Sequence, residues 1–139
     1  MEIKKLTTVA EMLPNLALIQ QLSPKITADG YERMLHEMVP HNYFQMAFFE
    51  EGRCIAVSGY WIATKLYCDK YLEIDNFVVD EQYRGSGIGG KMVDVLVLEA
   101  EANQCKTVML DAYVENFKAH GFYYHKGFIA RGYHYLKFL

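Results

Sequence analysis

A chain of 139 residues, 52% hydrophobic and 22% charged, has the length of one domain and the makeup of a globular one, so a core can form without staples. Lys and Arg number 14 against 17 Asp and Glu, and a net charge of −3 excludes general attraction to nucleic acid or acidic membranes. Cys54, Cys68 and Cys105 are odd in number, widely spaced and without a CxxC pair, which excludes a disulfide framework or a zinc site and reads as buried thiols of a reducing compartment.

The opening Met-Glu-Ile-Lys-Lys-Leu lacks the basic start and apolar stretch of a signal peptide, and no run of 18 apolar residues occurs, so a soluble cytoplasmic protein is expected. Residues 12–22 carry Met12, Leu13, Leu16, Ala17, Ile19 and Leu22 at spacings that make one packed helix face. Asp29 is placed to cap a second helix over residues 31–38, which Pro40 stops. With Pro14, Pro24 and Pro40 all falling here, the first third reads as helical and loop-rich.

From Tyr43 the pattern changes. Residues 44–49 and 54–66 predict two antiparallel strands around the turn Glu50-Glu51-Gly52-Arg53, and residues 72–79 a third strand. Residues 88–103 are apolar on more than one face and predict a helix lying deep against the sheet. Residues 107–111 then predict a strand parallel to the third, reached by a crossover that is right-handed by default. A further helix is predicted over residues 116–126, and one long or two short strands over the aromatic-rich residues 128–138. The fold class is α/β or α+β with a mixed sheet.

Between the strand at 72–79 and the deep helix stands Tyr83-Arg84-Gly85-Ser86-Gly87-Ile88-Gly89-Gly90-Lys91. Four glycines in six residues cost backbone entropy that no turn type requires. They let N–H groups approach an anion where the helix start adds partial positive charge, so a phosphorylated cofactor is expected. Gly85, Gly90 and Lys91 satisfy the beginning of a P-loop, but Met92 stands where a hydroxyl should ligate magnesium. Gly85, Gly87 and Gly90 also spell the GxGxxG of a dinucleotide-binding, oxidoreductase-type domain, with Asp111 closing the next strand as a ribose-binding acid would. Against that reading, residues 80–84 separate the strand from the first glycine, and too little chain follows Gly90 for a second half.

Arg84-Gly85-Ser86-Gly87-Ile88-Gly89 reads equally as (Gln or Arg)-x-x-Gly-x-Gly, and this resembles the acetyl-CoA loop of the GNAT superfamily of N-acetyltransferases. Val78-Val79 ahead of Tyr83-Arg84-Gly85 is similar to the central motif of that family. Asn116-x-x-Ala119-x-x-Phe122-Tyr123 with Lys126-Gly127-Phe128 is similar to its closing motif, and the match covers about residues 72–128. The resemblance implies one acetyltransferase domain over residues 1–139. Its sheet would be mixed, mostly antiparallel and twisted, flanked by helices, with a central parallel strand pair splayed at the cofactor site. The implied activity is that of an acyltransferase with acetyl-CoA as co-substrate, through direct attack of a neutral primary amine in a ternary complex. A non-catalytic CoA-binding module is the remaining alternative.

By the same resemblance, the backbone of Arg84, Gly85, Ser86, Gly87, Ile88, Gly89 and Gly90 holds the pyrophosphate. Phe77, Val78 and Val79 pair with the pantetheine arm, a backbone N–H near Val78 serves the thioester oxygen, and Asn116 both caps the last helix and bonds the arm. Glu73 and Asp75 are the carboxylates that could take the proton of the amine. They alternate with Leu72, Ile74 and Asn76 and so share one sheet face, a pattern that also describes an ordinary wet face. Tyr123 is the residue that assists departure of the thiolate; Tyr124 would point about 100° away on a helix. The acceptor, a small-molecule or peptide amine, is expected over Tyr31, His36, His41, Tyr43, Trp61 and Tyr133, whose rings suit it by apolar or cation–π contact. His120 and His125 accompany the last helix, but the five histidines show no metal-ligand spacing, and no metal is expected. A homodimer is compatible with all of these expectations.

Overall fold

A computed structural model describes all of residues 1–139 as a five-stranded sheet with helices on both faces. In chain order the elements are β1 (Glu2–Leu6), α1 (Val9–Met12), a 3-10 turn at Leu13–Asn15, α2 (Leu16–Leu22), α3 (Ala28–Met38), β2 (Tyr43–Glu50), β3 (Arg53–Lys65), β4 (Asp69–Val79), α4 (Ile88–Ala102), β5 (Thr107–Leu110) and α5 (Phe117–His125). The strands lie in the order β1-β2-β3-β4-β5. All pairs are antiparallel except β4 with β5, which is parallel.

The deep helix is α4. It buries Met92, Leu96 and Ala100 against Phe48, Tyr60, Leu72 and Ile74 on one face of the sheet. On the other face α1, α2 and α3 bury Met12, Ile19, Tyr31 and Leu35 against Tyr43, Ala47, Val57 and Val78. Each such apolar side chain withdrawn from water contributes about 1.5–3 kcal/mol, so β2, β3 and β4, covered on both faces, form the rigid centre. No helix is long and apolar enough to cross a membrane.

Several local expectations need correction. The helix expected over residues 12–22 is broken in two, because Pro14 has no N–H for an α-helical bond and the chain tightens into the 3-10 turn around it. The cap of α3 is Thr27, whose hydroxyl accepts from Gly30 N at 3.1 Å, while Asp29 sits in the first turn. The first third is not only helical: β1 pairs with β2, but as an edge strand it buries only Leu6, so its sequence has no alternation to read. Cys54, Cys68 and Cys105 are half-buried rather than buried. No strand forms over residues 128–138, which follow α5 without regular structure.

Candidate functional site

β4 departs from regularity in its second half. Gly59 of β3 faces Asp75 and Val57 faces Val78, so Ser58 is opposed by both Asn76 and Phe77. The extra residue is Asn76, left-handed at φ 45°, a conformation Asn tolerates better than most residues. This bulge reverses the alternation of the strand. Leu72 and Ile74 lie in the core under α4, yet Val78 joins the opposite core while Phe77 and Val79 pack on the α4 side. Pairing with β5 ends at Ile74 opposite Leu110, whereas β4 runs on to Val79, so the parallel pair is splayed and that edge of β4 has no strand beside it.

A buried chain of hydrogen bonds holds the bulge from behind. The Tyr43 hydroxyl donates to Asn76 Oδ1 (3.0 Å), and Gln45 Nε2 donates to the hydroxyls of Tyr43 (3.3 Å) and Tyr31 (2.8 Å). Asn15 Nδ2 donates to Gln45 Oε1 (3.2 Å), and Tyr31 donates to the Met12 carbonyl (3.2 Å). Gln45 and Asn15 are 0% and 3% exposed, and no buried side-chain polar atom lacks a partner. Gly59 makes the room: a Cβ there would collide with the Tyr43 hydroxyl and stand 2.8 Å from Asn76 Oδ1. Burial raises Tyr43 and Tyr31 above the usual phenol range, which keeps both as donors.

Past Val79 the chain is tied back on itself. The buried Asp80 carboxylate accepts from Gln82 N (3.0 Å) and from Arg53 Nη2 (2.6 Å), bonds that hold its carboxyl below the usual range, the Gln82 N–H foremost. After one 3-10 turn at Glu81–Tyr83, the Ser86 hydroxyl donates to the Tyr83 carbonyl and Arg84 Nε to the Val79 carbonyl (3.1 Å). Gly85 and Gly87 have φ of 78° and 85°, and nothing lies within 4 Å of where a Cβ would sit, so the left-handed backbone and not crowding calls for glycine. From Arg84 to Gly90 no backbone N–H makes a well-formed hydrogen bond within the chain; the first that does is Lys91, to the Gly87 carbonyl at 3.1 Å. Gly87 brings no capping side chain to α4. A row of unclaimed donors at the positive end of a 15-residue helix suits a phosphate.

The last helix closes the same end of the sheet. Asn116 caps α5, its Oδ1 accepting from Ala119 N at 3.2 Å. Phe122 packs on Phe77 with ring centroids 6.3 Å apart, and both rings come within 3.8 Å of the Cβ position of Gly89, so β4, the first turn of α4 and α5 meet here. Tyr123 is half-buried between Phe122 and Phe128, at 5.1 and 5.7 Å. Its hydroxyl has no partner in the chain, is not sealed from solvent, and is raised by burial. Tyr124 is 56% exposed.

Across the splayed strands lies a group of carboxylates. Asp75 accepts from Trp61 Nε1 (3.1 Å), and Asp111, at the end of β5, pairs with His134 Nδ1 (3.0 Å). Burial first, then the Asp111 carboxylate, raise the half-buried Glu73 carboxyl, against the pull of Lys65 and His134. Folded Glu73 therefore holds its proton more tightly than the unfolded chain does. The stability this gives is complete below the unfolded pKa of about 4.3 and is lost as pH rises through the folded value. Glu73→Gln should accordingly raise the melting temperature at pH 7, with the gain closing by about pH 4 in a pH series of thermal melts.

Not every expected residue joins this site. Trp61 reaches the carboxylates, but Tyr31 and Tyr43 are buried in the hydrogen-bond chain, and His36, His41 and Tyr133 are exposed. Gln45, Asn15 and Gly59 went unread, although a Gln inside the apolar run Phe44-Gln45-Met46-Ala47 was a usable signal. Met92 is core, so the P-loop reading has no metal ligand to offer. The dinucleotide reading fails because that fold needs a largely parallel sheet and only β4–β5 is parallel here.

The chain matches the model of the acetyltransferase (GNAT) family over residues 13–128. It is 29% identical over 96 residues to the spermine/spermidine N(1)-acetyltransferase of Bacillus subtilis (strain 168), a match covering 66% of this chain and 63% of that protein, under two thirds of its length. Among solved structures, glucosamine-6-phosphate N-acetyltransferase from Arabidopsis thaliana superposes with a TM-score of 0.76 at 26% identity, over 99% of this chain and 97% of that one. An aminoglycoside N-acetyltransferase in complex with CoA gives a TM-score of 0.81 at 17% identity, over 98% and 95% of the two chains, a likeness of fold alone. Because the bulged strand, the glycine loop and the closing helix all fall within the matched span, the chain belongs to the acetyltransferase (GNAT) family.

Proposed function

We propose that this protein moves the acetyl group of acetyl-CoA to a primary amine of a small molecule, by direct attack in a ternary complex. The observation that carries the reading is the row of unpartnered N–H groups from Arg84 to Gly90 at the head of α4, beside the uncovered edge of β4. These features fit CoA: donors for its diphosphate, an open strand edge for its pantetheine amides, and free space over Gly85 and Gly87. Acetyl-CoA supplies the activated acyl group when bound.

The residues divide the remaining work. The amides of Arg84, Gly85, Ser86, Gly87, Ile88, Gly89 and Gly90 hold the diphosphate, while Phe77, Val78, Val79 and Asn116 hold the arm. A β4 N–H just past the bulge, near Val78, donates to the thioester oxygen, a preorganised contact that lowers the barrier by ~3 kcal/mol. Glu73 takes the proton of the amine, with Asp75 beside it, and its raised pKa brings it closer to the pH at which a base works best. Tyr123 gives a proton to the departing sulfur. The carboxylates of Glu73, Asp75 and Asp111, with the Trp61 indole on Asp75, favour a cationic acceptor, in keeping with the polyamine named for the Bacillus relative. The working form is a homodimer, supported by the uncovered apolar side chains at the C-terminus, and the three free cysteines favour a reducing, cytoplasmic setting.

Thermal shift tests this first. Acetyl-CoA at 100 times its Kd should add about 2.7 kcal/mol to stability and NADH nothing; stabilisation by NADH instead would sink the reading. A panel of polyamines, amino sugars and peptide amines, followed by release of the CoA thiol, then identifies the acceptor. Binding of acetyl-CoA without thiol release from any of them would leave a silent CoA-binding module.

A further inference from the structure

Every backbone N–H in the stretch that launches the glycine loop is held, and every one in the loop itself is free. Asp80 N donates to the Ile55 carbonyl (2.9 Å), Glu81 N to Gln21 Oε1 (3.1 Å), Gln82 N to Asp80 Oδ1 (3.0 Å) and Tyr83 N to the Asp80 carbonyl (2.8 Å). From Arg84 to Gly90 the donors are unclaimed. The loop's own side chains give it no outside support, because Arg84 bonds the Val79 carbonyl and Ser86 the Tyr83 carbonyl, both within the same segment. Hydrogen bonds from other elements reach residues 80–87 from three residues, Ile55, Gln21 and Arg53. Arg53, the first residue of β3, is the one of the three that brings a charge, and it meets the one charged side chain in the buried interior, Asp80. Its Nη2 stands 2.6 Å from Asp80 Oδ2, and its Nη1 is 3.5 Å from Gln82 Oε1.

We propose that Arg53 is a positioning residue for the cofactor: by holding Asp80 it fixes the turn at Glu81–Tyr83, and so presets the direction of the N–H row that receives the diphosphate. The proposal rests on the reading that this loop binds acetyl-CoA, and it adds a residue from the β2–β3 hairpin, outside the loop and outside the closing helix. A carboxylate whose side chain is only 4% exposed stays inside when both oxygens are partnered, and here Oδ1 has Gln82 N and Oδ2 has Arg53. Without the guanidinium, Oδ2 has no partner. Asp80 then gains by turning toward water, which breaks the Oδ1 bond and frees the start of the turn. No packed side chain takes over, because a cavity of about 350 Å³ opens beside the pair, lined by Pro14, Leu18, Gln21, Phe49, Arg53 and Asp80. A loop with seven unpaired donors has no bonds of its own to restore its shape, so the ordering falls to the ligand, whose affinity drops by that cost. Arg53 itself is more than half exposed, so its loss leaves the core of the sheet intact.

Calorimetric titration of the full chain with acetyl-CoA tests this. Arg53→Met should raise the Kd about tenfold, and Arg53→Lys, which returns a cation to Oδ2, should bring it back to within about threefold of the native value. Hydrogen exchange without cofactor should show the amides of Glu81–Tyr83 at least ~10-fold faster in the Met variant, with those of β2, β3 and β4 unchanged. Asp80→Asn should weaken binding to a similar degree, and adding Arg53→Met to it should weaken it no further. A further loss in the double variant would mean that Arg53 touches the cofactor directly, and the positioning role would be overturned. Native affinity in the Met variant, no recovery with Lys, or faster exchange throughout the sheet would each overturn it as well. A native chain that does not bind acetyl-CoA would overturn the reading of the loop together with the proposal, whereas native binding with any of these other results overturns the role of Arg53 alone.

Discussion

Replacing Tyr123 with Phe should lower kcat by about a hundredfold and leave the KM for acetyl-CoA within about twofold, as measured by steady-state thiol release. The ring packs between Phe122 and Phe128, and Phe keeps both contacts, so the cofactor wall is preserved. What is lost is a half-buried hydroxyl that has no partner in the chain. Burial raises its pKa above the usual phenol range, so it is still protonated at neutral and mildly alkaline pH and able to give its proton to a leaving thiolate. The alkaline limb of kcat should then lie above the usual tyrosine value in the native enzyme and disappear in the Phe variant. A variant with unchanged kcat would remove Tyr123 from the chemistry and leave it a packing residue.

The second large effect concerns residues that need never touch a substrate. Tyr43→Phe and Asn76→Gly should each lower kcat about tenfold, and the double variant should be no worse than either. Both substitutions cut the same link, the hydrogen bond that ties the left-handed Asn76 to the buried chain running through Gln45 to Asn15. Glycine adopts φ 45° without strain, so Asn76→Gly removes the anchor while keeping the backbone allowed. Asn76→Ala should in addition lose about 1–2 kcal/mol of stability, because Ala pays for the left-handed conformation. The effect on turnover arises because the bulge sets where the β4 N–H groups beyond it point, and such a donor is worth a factor of about 100–1,000 only when correctly aimed. Additive losses in the double variant would mean that Tyr43 and Asn76 act separately, and the positioning argument would fall.

The glycine loop, the hairpin and the deep helix were legible because each is written in a short stretch of sequence. Gly85 and Gly87 announce left-handed backbone, Glu51-Gly52 joins two apolar runs, and α4 is apolar around much of its circumference. The bulge was not legible in the same way. Strict alternation would put Asn76 and Val78 on the face of Leu72 and Ile74, and only the register against Gly59 and Val57 shows that the parity reverses between them. Tyr31 and Tyr43 were expected at the acceptor mouth from the family's layout of elements and their aromatic type. They prove to be interior because Gln45 and Asn15 wait there to be satisfied, a demand that no local pattern displays.

By itself, the sequence determined the chemistry on offer: a phosphate-ready loop between strand and helix, a tyrosine in register with the closing motif, and carboxylates on one strand. These depend on backbone freedom and spacing, which neighbouring residues control. Tertiary structure alone decided which groups meet, since Glu73 is tuned by Asp111 and His134, and Asn76 is held by Tyr43, across long separations in the chain. It also decided that residues 128–138 form no strand within one copy, because a strand exists only where another backbone supplies its hydrogen bonds.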